Sequence, residues 1–457
     1  MEFDISNKLL IVSSPKIRGW AWSLEYANFM SAKGWQVDYI DTTTKQKNKK
    51  IVNKLLVEKK IFAKFQVDAL RIVNRSKSIY QPYVIFRSLI VFTKFFCSKN
   101  STNHLINTNI PLERVIYSNM SRWYGTFYLT KKLISKRNTF LIINDLINSI
   151  ICLERFFRAH GKPDLICTPN GRDATGAAAY SFAKLMNIKF STIELGFQEN
   201  SWEEYRVSPH YPKTWWAKLL DCVQSSATKI EIENFWKSRL KGNDYFVQRN
   251  WRSFYKKNYL PISKSKKHQV VSFFTSSTHE IPAWENFLRC SPGFNDQFEA
   301  VESILKACIK HKARLVIRRH PNSIATNGVD SEAYLWDRMA KNPNVIYFGP
   351  KSQVDSHSLI GRSAVVLCHD SSIGVEALKM GIPSYATGAP FWAFRPENRI
   401  KNFTQLESAI NKPILRDNGV TDAWATLHLK ISNKIKLFKH LDAAIAVFKD
   451  IPVFYKN

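Results

Sequence analysis

The stretch Leu315–Ala389 constrains the fold more than any other part of this chain. Leu315-Val316-Ile317 runs into Arg318-Arg319-His320-Pro321-Asn322, and Ala364-Val365-Val366-Leu367-Cys368 runs into His369-Asp370-Ser371-Ser372. Both apolar runs are too short for helices, and the proline after His320 holds that residue in an extended or turn conformation. Short apolar strands that end in polar clusters and pass into helices build a parallel sheet covered on both faces.

The same alternation recurs along the chain. Strands are expected at 8–14, 34–40, 164–168 and 189–193, with helices at 20–33, 140–158 and 177–186. A second series opens with strand 269–274, which ends in Thr275-Ser276-Ser277-Thr278-His279-Glu280. It continues with helix 296–311, strands 314–318, 344–348 and 364–368, helix 373–380 and strand 382–386. A rise in charge and polarity between Lys237 and His268 separates the series. The expected organisation is α/β in two units, 1–260 and 261–425, with an amphipathic helical tail over 426–457. Ligands of such sheets bind at the carboxyl ends of the strands.

Charge narrows the partners. The 457 residues carry 67 Lys and Arg against 37 Asp and Glu, a formal net charge of +30. From Lys45 to Lys99 there are 14 basic residues against Glu58 and Asp68, interleaved with eight aromatics including Tyr83, Phe86 and Phe92. That mixture suits an anionic bilayer surface, where aromatics insert and lysines meet acidic headgroups. A solvated basic insertion near 45–100 with one buried face is the plainer reading. Arg87 and Lys94 interrupt the most apolar run, so it does not span a membrane. No basic leader precedes the first strand. Seven cysteines without a C-x-x-C pair fit a reducing compartment better than disulfides or zinc. The expectation is a cytoplasmic protein, peripheral on the inner face of the cell membrane. Without a zinc knuckle, an RRM signature, a Walker A motif or G-x-G-x-x-G, nucleic acid, ATP hydrolysis and nicotinamide chemistry are disfavoured.

The strand-end clusters supply the candidate site. A helix starting at Ser371-Ser372 after a strand is an anion site, and Arg318-Arg319-His320 adds fixed charge and a titratable imidazole. A nucleotide phosphate is the expected guest. Asp370, Gly374 and Glu376 follow in the same helix start, Glu376 as a ribose or base acceptor; Ser276, Ser277, Glu280 and Asn322 close neighbouring strands. In the first unit Asn170, Arg172 and Trp202 are expected on the acceptor side. Glu25, Glu194 and Glu204 are candidates for deprotonating an acceptor hydroxyl or steadying a cationic transition state. No histidine set calls for a metal, and no cofactor is expected.

Asn170-Gly171-Arg172, Glu194-Leu195-Gly196-Phe197 with Trp202 and Glu204, Ser276-Ser277 with Glu280, Arg318–Asn322 and Asp370–Ala377 occur in that order. In this the chain resembles bacterial capsule and surface-polysaccharide glycosyltransferases of the GT-B type, including Kdo transferases and relatives that use other nonulosonic acids. The resemblance runs from about Lys162 to Pro390. It implies two Rossmann-like units facing a cleft, a C-terminal helix crossing back to the first unit, and a nucleotide-sugar donor held by His320 and Ser371-Ser372. It also implies a lipid-linked or polysaccharide acceptor on the first unit, and transfer without metal. CMP-sugars of Kdo, sialic or pseudaminic type and UDP- or TDP-hexoses both remain open as donors. Two rivals accompany this reading: a CDP-alditol glycerol- or ribitol-phosphate transferase, and a non-catalytic glycan- or membrane-binding scaffold of the same fold.

Overall fold

A computed structural model describes residues 7–13, 23, 25–27, 29–41, 70–73, 81–97, 112–124, 134–169, 171, 173–196, 201–205, 212–224, 227–241, 256–262, 269–277, 293–323, 330 and 332–434. Asn170, Arg172 and Glu280 lie outside them, as does most of the 45–100 segment.

The first sheet takes strands β1 (Lys8–Ser13), β2 (Gln36–Asp41), β3 (Leu70–Val73), β4 (Leu165–Pro169), β5 (Lys189–Leu195), β6 (Ser201–Tyr205) and β12 (Ser432–Lys434), in the order β12-β6-β5-β4-β1-β2-β3. The pairs from β5 through β3 are parallel, while β6 and β12 join antiparallel at one edge. The second sheet takes β7 (Val270–Phe274), β8 (Arg314–Arg318), β9 (Val345–Phe348), β10 (Val365–Cys368) and β11 (Ser384–Ala386), in the order β11-β10-β7-β8-β9, all parallel. Strand β7 reads Val-Val-Ser-Phe-Phe and is buried throughout, as a parallel strand covered on both faces must be. The expected class, α/β with two Rossmann-like units, is the one observed.

Helices α1 (Gln81–Cys97), α2 (Leu112–Tyr124), α3 (Lys136–His160) and α4 (Ala174–Leu185) belong to the first unit. Residues 23, 25–27 and 29–31 are also helical. Ser135 caps α3 by accepting from the Asn138 N–H, and Asp173 caps α4 by accepting from the Gly176 N–H at 2.8 Å. Alanines 177–179 and Gly176 face inward and let α4 lie close to its neighbours. A Cβ on Gly176 would stand 2.5 Å from the Gly171 backbone.

Helices α5 (Pro212–Gln224) and α6 (Lys229–Lys241) follow β6 and share one apolar cluster with the second sheet: Trp215, Leu219, Phe235 and Trp236 pack with Val270, Phe274, Val366 and Trp392. The rest of the second unit comprises α7 (Gln297–Lys310), α8 (Ala333–Ala340), α9 (Ser356–Arg362), α10 (Ile373–Lys379) and α11 (Phe403–Asn411).

The tail crosses back, but not as one long helix. Helix α12 (Val420–Ile431) begins before Thr426, ends at Ile431 and passes directly into β12, which pairs with β6 of the first sheet. The expected helix had been read from amphipathicity, which registers neither a strand edge waiting for a partner nor the helix stop at Ser432. Residues 435–457 lie outside those described. The basic segment holds a further departure. Leu70–Val73 is a strand paired with β2, because Leu-Arg-Ile-Val alternates at period two inside a run read as helical.

Replacing Gly176 with alanine drives a methyl into the Gly171 backbone. The expected cost is about 1–3 kcal/mol of stability, as for other overpacked sites. Urea denaturation against wild type measures it, with Gly361→Ala, where a Cβ meets nothing within 4 Å, as the control.

Candidate active site

Strands β10, β7 and β8 are neighbours, so their carboxyl ends form one surface. Three polar turns meet there and are already joined. The His320 N–H donates to Thr275 Oγ1 at 2.8 Å, and the Asp370 N–H donates to Ser276 Oγ at 2.6 Å. Ser276 in turn donates its N–H to Gln297 Oε1 at 3.0 Å. After His320 the chain enters a short 3-10 turn (Pro321–Ser323), whose Ser323 donates to the His320 carbonyl at 2.6 Å. Asp370 Oδ1 accepts from the Ala389 N–H at 2.7 Å. The sequence thus placed Ser276, Ser277, His320 and Asp370 on one rim; Asn322 lies in the turn beside it.

The arginines do something else. Arg318 is buried and donates to three carbonyls, those of Arg319 (3.0 Å), Gly349 (2.7 Å) and Ser352 (3.1 Å). It clamps the loop after β9. Arg319 is fully buried and pairs with Asp330 (Nη2 to Oδ1 at 2.9 Å), with Glu332 at 3.9 Å and the Trp336 ring beside it. Both were expected on the donor, and both guanidiniums are engaged by protein groups instead. A buried strand-end arginine needs acceptors for its N–H donors, and here protein carbonyls and carboxylates take those of the terminal Nη groups.

The start of α10 also departs from the expected anion site. Ser371 Oγ accepts from the Ile373 N–H, and the Val375 and Glu376 N–H groups turn to the Ser372 carbonyl. Gly374 is small for a packing reason, because a Cβ there would run into the Trp392 ring. The Trp392 Nε1–H donates to the Ser371 carbonyl at 2.9 Å. Glu376 sits buried between two partners, Arg239 Nη2 at 2.7 Å and His357 Nε2 at 2.8 Å, and Arg239 also reaches Ser372 Oγ at 3.3 Å.

Sequence reasoning missed both of these partners. Arg239 ends α6, in a stretch read as part of a linker. His357 follows Asp355, whose carboxylate caps α9 by accepting the His357 N–H at 3.2 Å; a D-x-H at a helix start was its only signal.

On the first sheet, Glu194 pairs with Glu203 and Ile193 with Glu204 across β5 and β6. Successive residues of a strand face opposite sides, so Glu194 and Glu203 share one face and Glu204 takes the other. The Tyr26 hydroxyl donates to Glu204 Oε1 at 2.7 Å. Burial, with Glu204 alongside, pushes the Tyr26 phenol far up, so it keeps its proton and its donor role. Trp202, expected to meet an acceptor, is 1% exposed and lies edge-on to the Tyr26 and Phe29 rings, at centroid distances of 5.5 and 5.2 Å. It is a core residue. Glu25 is buried on the preceding helix.

The unforeseen carboxylate is Glu203, fully buried. It accepts from the Tyr205 hydroxyl (2.6 Å) and from Ser432 Oγ (2.8 Å), and both its oxygens lie 3.2 Å from His428 Nδ1. Burial, with Glu203 and Glu194 adding to it, raises the Tyr205 phenol well above its usual range. Among the described residues, no group of three or more His, Cys, Asp or Glu is arranged to hold a metal ion.

Fold and rim together define a two-unit α/β protein with polar ends on neighbouring strands of the second sheet. Residues 286–430, which include this rim from β8 to β11, match the family described as capsule polysaccharide biosynthesis protein. No protein of curated function matches the chain in sequence. Among solved structures it is similar to the beta Kdo 2,4 transferase of Thermosulfurimonas dismutans KpsC. Identity there is 14% over 58% of this chain and 80% of that one, with a TM-score of 0.38. The beta Kdo 2,7 transferase of the same KpsC gives 15% identity over 66% and 88%, TM-score 0.37. UDP-GlcNAc 2-epimerase from Neisseria meningitidis gives 13% over 98% and 99%, TM-score 0.32. The activities in those names belong to those proteins.

Arg319→Ala strands Asp330 and Glu332 beside a cavity. The expected loss is about 3 kcal/mol or more of stability, with nucleotide affinity of the folded protein unchanged. Denaturation and calorimetric titration read the two separately; weakened binding at undiminished stability would return Arg319 to the ligand.

Proposed function

We propose that the chain is a glycosyltransferase of capsule or surface-polysaccharide synthesis. It moves a sugar from a nucleotide-sugar onto a growing, lipid-linked or polysaccharide acceptor. The carrying observation is the shared rim of β10, β7 and β8: the family match covers two of its three strand ends, and hydrogen bonds already join them.

In this reading the donor lies along Ser276, Ser277, His320 and Asp370. Arg239 supplies the fixed positive charge beside Ser372, and Glu376 is held in place by Arg239 and His357. His320, at the mouth of β8, meets the departing phosphate. Glu194, at the carboxyl end of β5, takes the proton of the acceptor hydroxyl. The acceptor oxygen bonds the anomeric carbon as the bond from that carbon to the phosphate oxygen breaks, and the nucleotide leaves with the electron pair. Glu204 is less suited as the base, because the Tyr26 hydroxyl occupies one of its oxygens. A CMP-activated nonulosonic acid is the donor we favour, on the His-Pro and Ser-Ser motifs. The basic, aromatic-rich segment of the N-terminal unit supports a peripheral position at the anionic inner face of the membrane.

Thermal shift against CMP, CDP, UDP, TDP and GDP tests the donor. A ligand at a hundred times its dissociation constant stabilises the folded state by about 2.7 kcal/mol. CMP is expected to act most strongly; preference for UDP or TDP would make the donor a hexose, and preference for CDP an alditol phosphate. His320→Ala is expected to abolish transfer from the stabilising donor while the melting temperature holds. Normal turnover in that variant would remove His320 from the mechanism.

A further inference from the structure

Helix α1 is apolar on two sides. Val84, Ser88 and Val91 are buried, with the Phe92 ring 5.8 Å from Phe140 of α3 and Ser88 Oγ 3.4 Å from Asn144. The outward side carries Tyr83 (48% exposed), Ile85 (40%), Phe86 (62%), Leu89 (48%) and Ile90 (37%). At 100° per residue these five and the exposed Thr93 share one arc of about 160°. An amphipathic surface helix would place charge there.

Basic residues lie on α1 itself and at the start of α3, the helix it packs on. Arg87 flanks it, with its guanidinium 5.5 Å from the Tyr83 ring centroid. Lys136 and Arg137 are exposed at the start of α3, the end nearest Phe92, and Leu141 one turn on is half exposed. The chain as a whole carries +30. Among the described residues no helix is long and apolar enough to cross a membrane. A short helix with an exposed apolar arc, rimmed by basic residues on a strongly basic protein, fits the plane of an anionic bilayer. Its rings and aliphatic chains enter the headgroup boundary, and its cations meet lipid phosphates.

We propose that the outer face of α1, centred on Phe86 and Leu89, is the surface by which the protein docks on anionic lipid. This rests on the peripheral placement in the reading above and assigns it to a named face. Docking orients the first unit, because α1 packs on α3.

Vesicle flotation tests it, with phosphatidylcholine alone and with phosphatidylglycerol added. Wild type is expected to float with the anionic vesicles only, and less at high salt. Phe86→Ser with Leu89→Ser is expected to weaken binding by about tenfold or more. The controls Ile230→Ser and Tyr334→Ser, at exposed apolar residues elsewhere, leave it unchanged. Flotation of the double variant equal to wild type would overturn the assignment of this face. So would a wild type that stays unbound but forms a dimer, lost in the double variant, by sedimentation. Nucleotide thermal shift on the same samples separates the two claims, since docking can fail while donor binding stands, and the reverse.

Discussion

The fully buried carboxylate of Glu203 is the interaction on which the arrangement of the two units depends. A charge without solvent is tolerated only when hydrogen bonds replace the lost water. Those bonds come from Tyr205 on its own strand, His428 on α12 and Ser432 at the start of β12. The helix that brings His428 is at the same time part of the second unit's packing. Trp424 and Phe235 lie against the His428 ring, the Ala227 N–H donates to Thr426 Oγ1, and the Trp236 indole N–H donates to the Thr421 carbonyl. Withdrawing the tail would therefore strip Glu203 of two of these partners and open the edge of β6. One carboxylate ties a sheet to the helices that carry the other sheet.

The donor-side rim is preorganised by a second use of buried charge. Arg318 holds three carbonyls around the end of β9, and Arg319 holds Asp330 and Glu332 behind it. The Nη groups of both are bound by protein oxygens, which tie the ends of β8 and β9 together. In the proposed reading Ser276, Ser277, His320 and Asp370 line the donor, on turns that hydrogen bonds already join.

What the sequence disclosed follows from what periodicity can carry. Parallel strands such as β7, β8 and β10 are continuous apolar runs with polar ends, and those ends were legible as a site before any geometry. Strand β6 was not. Ser-Trp-Glu-Glu-Tyr alternates, yet its buried positions include a glutamate, and a buried acid reads as a surface loop until its partners are known. The partners sit more than two hundred residues away, at His428 and Ser432. Arg239 was hidden for the same reason: its ion pair with Glu376 joins an unremarkable basic helix end to a residue 137 positions later. The arginines at the end of β8 were seen but given the wrong partners, because sequence shows that a charge must be answered and not by what.

The doublet Glu203-Glu204 shows how one strand serves both needs. Alternation sends Glu203 toward the tail, where it fixes the relation of the units, and Glu204 toward Tyr26 and the first helix, where it braces the fold around Trp202. Glu194, opposite Glu203 on β5, shares that face and is half-buried. Its setting is shared with the second unit through Tyr205 and α12, while α1 packs on α3 and through it on α4. A force on α1 would thus reach β5, the strand that bears Glu194, through packed helices, because α4 lies against β5.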